Sequence, residues 1–186
     1  SKTILITGGS RGIGAATARL AGKRGWSVGV NYAGNADAAA ETVKAVEAAG
    51  GNAIAIKGNV AEEADVLAMF DQTEKAFGPL DGVFNNAGIG GPVARIADYP
   101  IAEFRKVMAV NVEGVFLGLK HVLPVMQAQE SGSIVNAASA SAVRPASRVP
   151  ATTRQIALAP LRAPSRHSTL RGRARHSLLP TARRCP

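Results

Sequence analysis

The first two thirds of the chain alternate between short apolar runs and longer segments in which apolar residues recur every three to four positions. The short runs predict five β-strands, at residues 3–7, 27–31, 53–57, 82–85 and 133–137. The longer segments predict four helices, at residues 12–24, 35–49, 62–77 and 101–129. Strands that alternate with helices favour an α/β fold, here a Rossmann-type, doubly wound parallel sheet of about five strands.

Two of the predicted helices carry a stripe of apolar residues at helical spacing. The stripe of helix 62–77 contains Val66, Met69, Phe70, Thr73 and Phe77. The stripe of helix 101–129 contains Phe104, Met108, Val115, Leu119 and Leu123. We expect both stripes to face the core, and we expect Pro124 to bend the second helix or end it early.

The amino-acid composition of the chain changes near residue 130. The last aromatic residue is Phe116, the last lysine is Lys120 and the last acidic residue is Glu130. Residues 131–186 contain ten Arg and no Lys, Asp or Glu, and 145–186 hold six of the ten prolines. The net charge of +9 therefore comes from the tail, because residues 1–130 hold 12 basic and 13 acidic residues. We divide the chain into an α/β domain, 1–139, and an Arg/Pro-rich tail, 140–186, that is disordered or translated out of frame.

Composition also narrows the cellular setting. The sequence offers no N-terminal signal segment, and by inspection no apolar stretch of the ~20 residues that a membrane span needs. Cys185 is the single cysteine, which excludes an intrachain disulfide and fits a reducing compartment. We therefore expect a cytoplasmic protein that has no membrane segment and no metal site.

A glycine-rich turn between the first strand and the first helix carries the clearest chemistry. It reads Thr7-Gly8-Gly9-Ser10-Arg11-Gly12-Ile13-Gly14. Glycines at this spacing allow a tight turn, close approach of the backbone to a pyrophosphate, and close packing of the helix on the sheet. The free N–H groups of the helix N-terminus then face the phosphates. The turn predicts a dinucleotide site.

Four ordered motifs make the chain resemble the short-chain dehydrogenase/reductase family over residues 2–151. They are the glycine turn, the sequence Asn85-Asn86-Ala87-Gly88 after the fourth strand, Asn111 in the long helix, and Ser139 after the fifth strand. The resemblance implies an oxidoreductase that moves hydride between a nicotinamide cofactor and a carbonyl or alcohol carbon of a small molecule. It assigns catalytic roles to Ser139 and Asn111. The residues expected to bind the cofactor are Gly8, Ser10, Arg11, Gly12, Ile13, Gly14, Asn31, Asn59, Val60, Asn85, Ala87 and Gly88.

Three of these residues have a simpler alternative interpretation. Asn85 also suits a role in tying strands together, Asn111 suits an amide bonded to backbone or solvent, and Ser139 suits an ordinary hydroxyl at a strand end. We keep both interpretations for each residue.

The cofactor is predicted to be NADP, with NAD as the alternative. An NAD site usually has an acidic residue after the second strand, where this chain reads Asn31-Tyr32-Ala33-Gly34. Arg11 stands beside the phosphate turn, and arginine pairs well with a 2′-phosphate. The resemblance places Asn59 and Val60 near the adenine.

The catalytic tyrosine and lysine of the family are missing. Thr152 stands where the resemblance places the tyrosine, and Ile156 where it places the lysine. A phenol has a pKa of ~10 and needs a nearby cation to work near neutral pH, and a threonine hydroxyl is a far weaker acid. Because the composition changes in the same region, we hypothesise a frameshift near codon 151 and an inactive chain.

Two other functions remain open at this point. One is a non-catalytic NADP-binding sensor; the other is nucleic-acid binding by the basic tail, with its cluster Arg171-Gly172-Arg173-Ala174-Arg175. For intact relatives, the resemblance implies homo-oligomers.

Overall fold

The computed structural model describes residues 1–138, and these form one parallel five-stranded sheet in the order β3-β2-β1-β4-β5. The strands are β1 Thr3–Ile6, β2 Ser27–Tyr32, β3 Asn52–Lys57, β4 Gly82–Asn85 and β5 Ser133–Asn136. The predicted fold class is confirmed. The tail at 140–186, together with Ser139, Thr152 and Ile156, lies outside the described residues.

Five α-helices connect the strands. They are α1 Gly12–Gly22, α2 Ala36–Glu47, α3 Glu63–Phe77, α4 Ile101–Met108 and α5 Gly114–Ala128, with a short 3₁₀ turn at Ile96–Asp98. Local chemistry explains two of the boundaries. The Asn35 side chain accepts a hydrogen bond from the N–H of Ala38 at 2.9 Å and so caps the start of α2. Gly78, whose φ is 85°, ends α3.

The helices cover the two faces of the sheet with different cores. On the α1/α2 face the cluster is made largely of small and branched residues: Ile6, Ala18, Ala21, Val28, Val30, Val46 and Ala53. On the α3/α5 face it contains longer side chains, among them Leu5, Ile56, Met69, Leu80, Leu117, Met126 and Ile134. Leu5 and Ile6 are consecutive on β1 and belong to opposite faces, as the two-residue period of a strand requires.

The predicted long helix consists of two helices joined by a π-helical turn at Ala109–Glu113. The expectation that Pro124 ends it early is wrong, because α5 continues through Pro124 to Ala128. Pro124 has no N–H to donate to the Lys120 carbonyl, and both residues lie on the exposed side of the helix.

The apolar stripe predicted for this helix coincides only in part with its core-facing side, since Leu119 and Leu123 pack against the core cluster. Phe104, Val115, Leu119 and Leu123 are half-buried, and Met108 is 37% exposed. The buried positions of the segment are instead Val107, Asn111, Gly114, Leu117, Gly118, Val122 and Met126. Gly114 and Gly118 let the backbone pass close to Val60 and Asn85, where a larger side chain would not fit. In α3 the predicted stripe is confirmed at Val66, Met69 and Thr73.

The continuous segment Ile101–Ala128 bears on the expectation that the chain has no membrane span. It is 28 residues long and contains an 18-residue window with a mean hydropathy of 1.2, which is long and apolar enough to cross a membrane by length and composition alone. A third of its most apolar window (33%) is buried inside the protein. A helix that packs on a sheet passes the same test, so this single segment is weak support for a span.

A charged cluster joins α3 to α5. Lys120 Nζ lies 2.7 Å and His121 Nε2 lies 2.8 Å from the same carboxylate oxygen of Glu63. Hydrogen bonds from Lys120 and His121 lower the pKa of the Glu63 carboxyl below its ordinary value.

Candidate nucleotide-binding site

A cavity of about 430 Å³ opens at the carboxyl ends of the strands, next to the point where the strand order changes direction between β1 and β4. Ligands of open α/β sheets bind at such a point. The structure brings eight of the predicted cofactor residues to its lining: Gly8, Ser10, Arg11, Asn31, Asn59, Val60, Ala87 and Gly88. The other four, Gly12, Ile13, Gly14 and Asn85, do not line it.

The glycine turn needs glycine at two positions because other backbone lies against it. Gly8 has a φ of 61°, and a Cβ there would lie 2.9 Å from the Cα of Ala87. A Cβ on Gly14 would clash with the carbonyl oxygen of Gly8 and lie 2.7 Å from Nδ2 of Asn86. These contacts let the first turn of α1 sit directly on the end of β1.

The N-terminus of α1 has the features of an anion site. Arg11 is the N-cap residue, its side chain makes no capping hydrogen bond, and the first turn contains no acidic residue. The Arg11 side chain is exposed at the cavity. Helix N–H groups and a guanidinium at one place favour a phosphate.

Two asparagines hold the beginning of this turn. Asn86 Nδ2 donates to the carbonyl oxygens of Thr7 (3.0 Å) and Gly8 (3.2 Å), and the Thr7 hydroxyl oxygen accepts from the N–H groups of Asn86 and Ala87. Asn31 Oδ1 accepts from the N–H of Gly8 at 3.0 Å. The turn is thus bonded both to β2 and to the loop after β4.

Asn31 therefore contributes to the site differently from the sequence expectation. Its side chain is 2% exposed, and Nδ2 donates to the carbonyl oxygens of Gly58 (2.9 Å) and Ile56 (3.4 Å). The amide links the ends of β1, β2 and β3, so the shape of the cavity depends on it.

Asn59 and Asn85 both shape the backbone around the cavity. The Asn59 N–H donates to Asp65 Oδ2 at 2.8 Å, and its Oδ1 accepts from the N–H of Ala61 at 3.1 Å. Asn85 is buried and donates to Asn136 Oδ1 at 2.9 Å. That bond joins β4 to β5, in agreement with the interpretation of Asn85 as a tie between strands.

Asn111 lies in the π-helical turn with both ends of its amide occupied. Its Oδ1 accepts from the N–H of Ile89 at 2.8 Å, and its Nδ2 donates to the carbonyl oxygen of Ile89 at 2.9 Å. The side chain therefore fixes the loop after β4 to the long helix, as the backbone-bonded alternative anticipates. Ser139, the proposed partner of Asn111 in catalysis, is beyond the described residues.

The charge around the cavity is one-sided. Among the described residues that line it, none is Asp or Glu, and Arg11 is the one ionised at neutral pH. Within residues 1–138, no group of three or more His, Cys, Asp or Glu side chains is placed to hold a metal ion.

A second, apolar groove of about 810 Å³ runs along the outer side of α4 and α5. Its apolar lining comes mainly from the predicted stripe and its neighbours: Phe104, Met108, Val112, Val115, Phe116, Leu119 and Ala137. Phe116 is 61% exposed there. Four of the five residues of the predicted stripe, all but Leu123, thus line this groove.

Sequence reasoning misses several contributors to the nucleotide cavity. Its lining includes residues 32–35, at and after the end of β2, although the sequence assigns only position 31 of this region to the cofactor. Gly58, Ile89 and Val110 also line the cavity and were not predicted. Asn86 belongs to the motif at 85–88, which gives it no role of its own. Thr42, which donates to the Ser10 carbonyl oxygen at 3.2 Å, carries no sequence signal.

Comparison with known proteins agrees with this geometry. Residues 2–151 match the family model described as short chain dehydrogenase. The chain is 44% identical over 143 residues to a 2,5-dichloro-2,5-cyclohexadiene-1,4-diol dehydrogenase of Sphingobium indicum. The aligned region covers 76% of this chain and 56% of that protein. It is 39% identical over 144 residues to a levodione reductase of Leifsonia aquatica, covering 77% and 54% respectively.

Solved structures give the same result. A NAD⁺-bound xylitol dehydrogenase superposes with a TM-score of 0.77 at 35% identity, covering 82% of this chain and 58% of that one. The chain thus spans little more than half the length of the relatives that it matches.

Proposed function

The chain belongs to the short-chain dehydrogenase/reductase family. From that membership we propose that it has the fold and the cofactor site of an NADP-linked oxidoreductase. The reaction class would be hydride transfer between NADP(H) and a carbonyl or alcohol carbon of a small molecule. The family as a whole uses NAD(P), which when bound would supply a hydride in its reduced form or accept one in its oxidised form. The names of the three relatives, a diol dehydrogenase, a levodione reductase and a xylitol dehydrogenase, support this substrate class.

The cavity at the glycine turn is the observation that carries the proposal. We assign the pyrophosphate to the turn and the N-terminus of α1, and the adenosine to the loop at 31–35 together with Asn59 and Val60. The choice of NADP rests on Arg11 and on the lack of an acidic residue in the described lining, since an acid there would repel a 2′-phosphate.

We propose that this chain carries out the chemistry poorly or not at all. Ser139 would orient the carbonyl oxygen, but Thr152 and Ile156 stand where the family has its tyrosine and lysine. General acid–base catalysis contributes about 10²–10⁴ in rate, and the missing pair removes that factor. The chain keeps the nucleotide cavity but lacks the tyrosine and lysine of the family. This combination also favours a second candidate function, that of a protein that binds the cofactor without catalysing a reaction.

As part of the same proposal, the chain consists of a domain at 1–139 and a tail at 140–186. The tail sequence would result from translation in another reading frame. Family members are typically soluble, and we place this protein in the cytoplasm. Intact relatives would form homo-oligomers.

The direct test is a fluorescence titration of the full chain with NADPH and with NADH, combined with a ketone-reduction assay. We expect NADPH to bind more tightly than NADH, the Arg11→Gln variant to lose that preference, and turnover to stay at background. Tighter NADH binding that Arg11→Gln leaves unchanged would contradict the NADP assignment. Ordinary reductase turnover would contradict the proposed loss of activity. Resequencing codons 130–190 tests the frame: a Tyr-x-x-x-Lys in another frame would support the shift.

A further inference from the structure

We propose that Thr42 is a positioning residue for the phosphate-binding turn, holding the backbone of Ser10 and through it the place of Arg11. This inference rests on the proposed function, since it assumes that the turn binds NADP(H). Thr42 does not line the cavity and would act through the turn alone.

The geometry of the Thr42 hydroxyl sets it apart from an ordinary helical threonine. Its Oγ1 lies 3.1 Å from the carbonyl oxygen of Ala38, four residues earlier, which is the usual bond of a threonine within a helix. The same oxygen lies 3.2 Å from the carbonyl oxygen of Ser10, 32 residues away in the chain, so the single hydroxyl proton is shared between the two carbonyl oxygens. Thr42 is 4% exposed, so water does not compete freely for this hydroxyl.

The contact completes the attachment of the turn. Its beginning is held from the strand side, where Asn31 and Asn86 bond to the backbone of Thr7 and Gly8. Its far end, at Ser10, is held from the α2 side by Thr42. Arg11 follows directly, so the direction of its side chain depends on where Ser10 is held.

Thr42 also links two walls of the same cavity. Helix α2 begins just after residues 32–35, and both these residues and the turn line the cavity. In the proposed function the loop meets the adenosine ribose and the turn meets the pyrophosphate. A bond between α2 and Ser10 fixes the spacing of the two sites within one nucleotide, which is a form of preorganisation.

Thr73 supplies a matched control. It is fully buried in α3, and its hydroxyl donates to the carbonyl oxygen of Met69 at 2.7 Å, again four residues earlier. No hydrogen bond of its hydroxyl to the turn occurs within residues 1–138. Thr73→Val therefore makes the same chemical change as Thr42→Val without touching the turn.

The experiment measures dissociation constants of NADPH and NADH for the full-length wild type, Thr42→Val, Thr42→Ser and Thr73→Val. We expect Thr42→Val to weaken NADPH binding about tenfold, because it removes one hydrogen bond and leaves a carbonyl without its donor. Thr42→Ser keeps the hydroxyl and should bind within about twofold of wild type. Val fills the space of Thr and Ser does not, so a role in packing alone predicts the reverse order.

The outcomes separate this inference from the proposed function. If Thr42→Val binds like wild type, or if Thr42→Ser is as weak as Thr42→Val, the positioning role is wrong. The loss should be larger for NADPH than for NADH, since the proposed Arg11 contact involves the extra phosphate; equal losses would overturn the link to Arg11. If the wild type binds neither nucleotide, the proposed function is wrong, and the inference about Thr42, which depends on it, is wrong as well.

Discussion

The nucleotide side and the long-helix side of this molecule are stabilised by different means. Around the glycine turn, buried amides and hydroxyls hold individual backbone atoms, as Asn31 holds Gly8 and Asn86 holds Thr7. Along α4 and α5, apolar contacts dominate, and the helix has one face on the sheet and another along an open groove. Around the turn, we expect substitutions that remove a hydrogen-bonding group to be poorly tolerated. Along α4 and α5, we expect the effect of a substitution to depend on whether the residue lies on the buried face.

The largest expected effect comes from removing the most connected of those amides. Asn31→Leu keeps a similar volume but leaves the N–H of Gly8 and the carbonyl of Gly58 without their partner. Each unsatisfied buried group costs about 1–3 kcal/mol, so we expect a loss of about 4 kcal/mol in the free energy of unfolding, measured in urea. Asn52→Leu, at an exposed position of the neighbouring strand β3, should change it by less than about 0.5 kcal/mol. Similar values for the two variants would contradict the role of the amide.

Two adjacent residues of α5 test the difference between its faces. Leu117 is 5% exposed in the core, whereas Phe116 is 61% exposed on the groove. Leu117→Ala should cost about 3 kcal/mol because it leaves a cavity, and Phe116→Ala should cost less than about 1 kcal/mol. Thermal and urea unfolding of both variants measures this. An equal cost would mean that the groove side is covered as fully as the core.

A single methyl group probes the contact between α1 and the end of β1. Gly14→Ala would stabilise an isolated helix by about 1 kcal/mol, but here the new Cβ meets the Gly8 carbonyl and the Asn86 amide. We expect a net loss of about 2 kcal/mol, together with weaker NADPH binding, because the turn must shift. In the control Gly90→Ala the new Cβ has no neighbour within 4 Å, so stability should stay unchanged. A stabilised Gly14→Ala would show that the helix moves away without cost.

The smallest effect belongs to the exposed cluster of Glu63, Lys120 and His121. Because the pKa of Glu63 is lowered in the folded state, its contribution is present above the ordinary value of 4.5 and is lost as pH falls through the lower, folded value. Glu63→Gln should therefore melt slightly below wild type at pH 6–7, and the two melting curves should converge in the acid range. A gap that widens toward low pH would reverse the sign of this interaction.

Much of the fold followed from the sequence because strand and helix periods are local properties. The limits of β4 agree with the prediction, and those of the other strands differ by one residue. The buried face of α5 did not follow. Gly114 and Gly118 decide it by close approach to Val60 and Asn85, which depends on the packed sheet and not on the period of the helix.

The candidate site was predictable at positions where the backbone conformation permits only one type of residue, such as glycine. The spacing of Gly8 and Gly14 indicates a tight turn by itself, since few other residues fit such a turn. The inward direction of Asn31, the pairing of Asn111 with Ile89 and the bond from Thr42 to Ser10 join positions 22 to 32 residues apart. No local pattern records such pairs, so only the folded chain reveals them.

The central place of β1 in the sheet has a consequence for the order of assembly. β1 is the first strand in the chain, yet it pairs on one side with β4, and Thr3 bonds to Asp81, 78 residues further on. The Asn85–Asn136 bond then closes a further 51 residues. Each such closure loses chain entropy before any contact compensates for it, and sheets of this kind fold slowly. During synthesis, β1 must therefore keep one edge unpaired until β4 has been made.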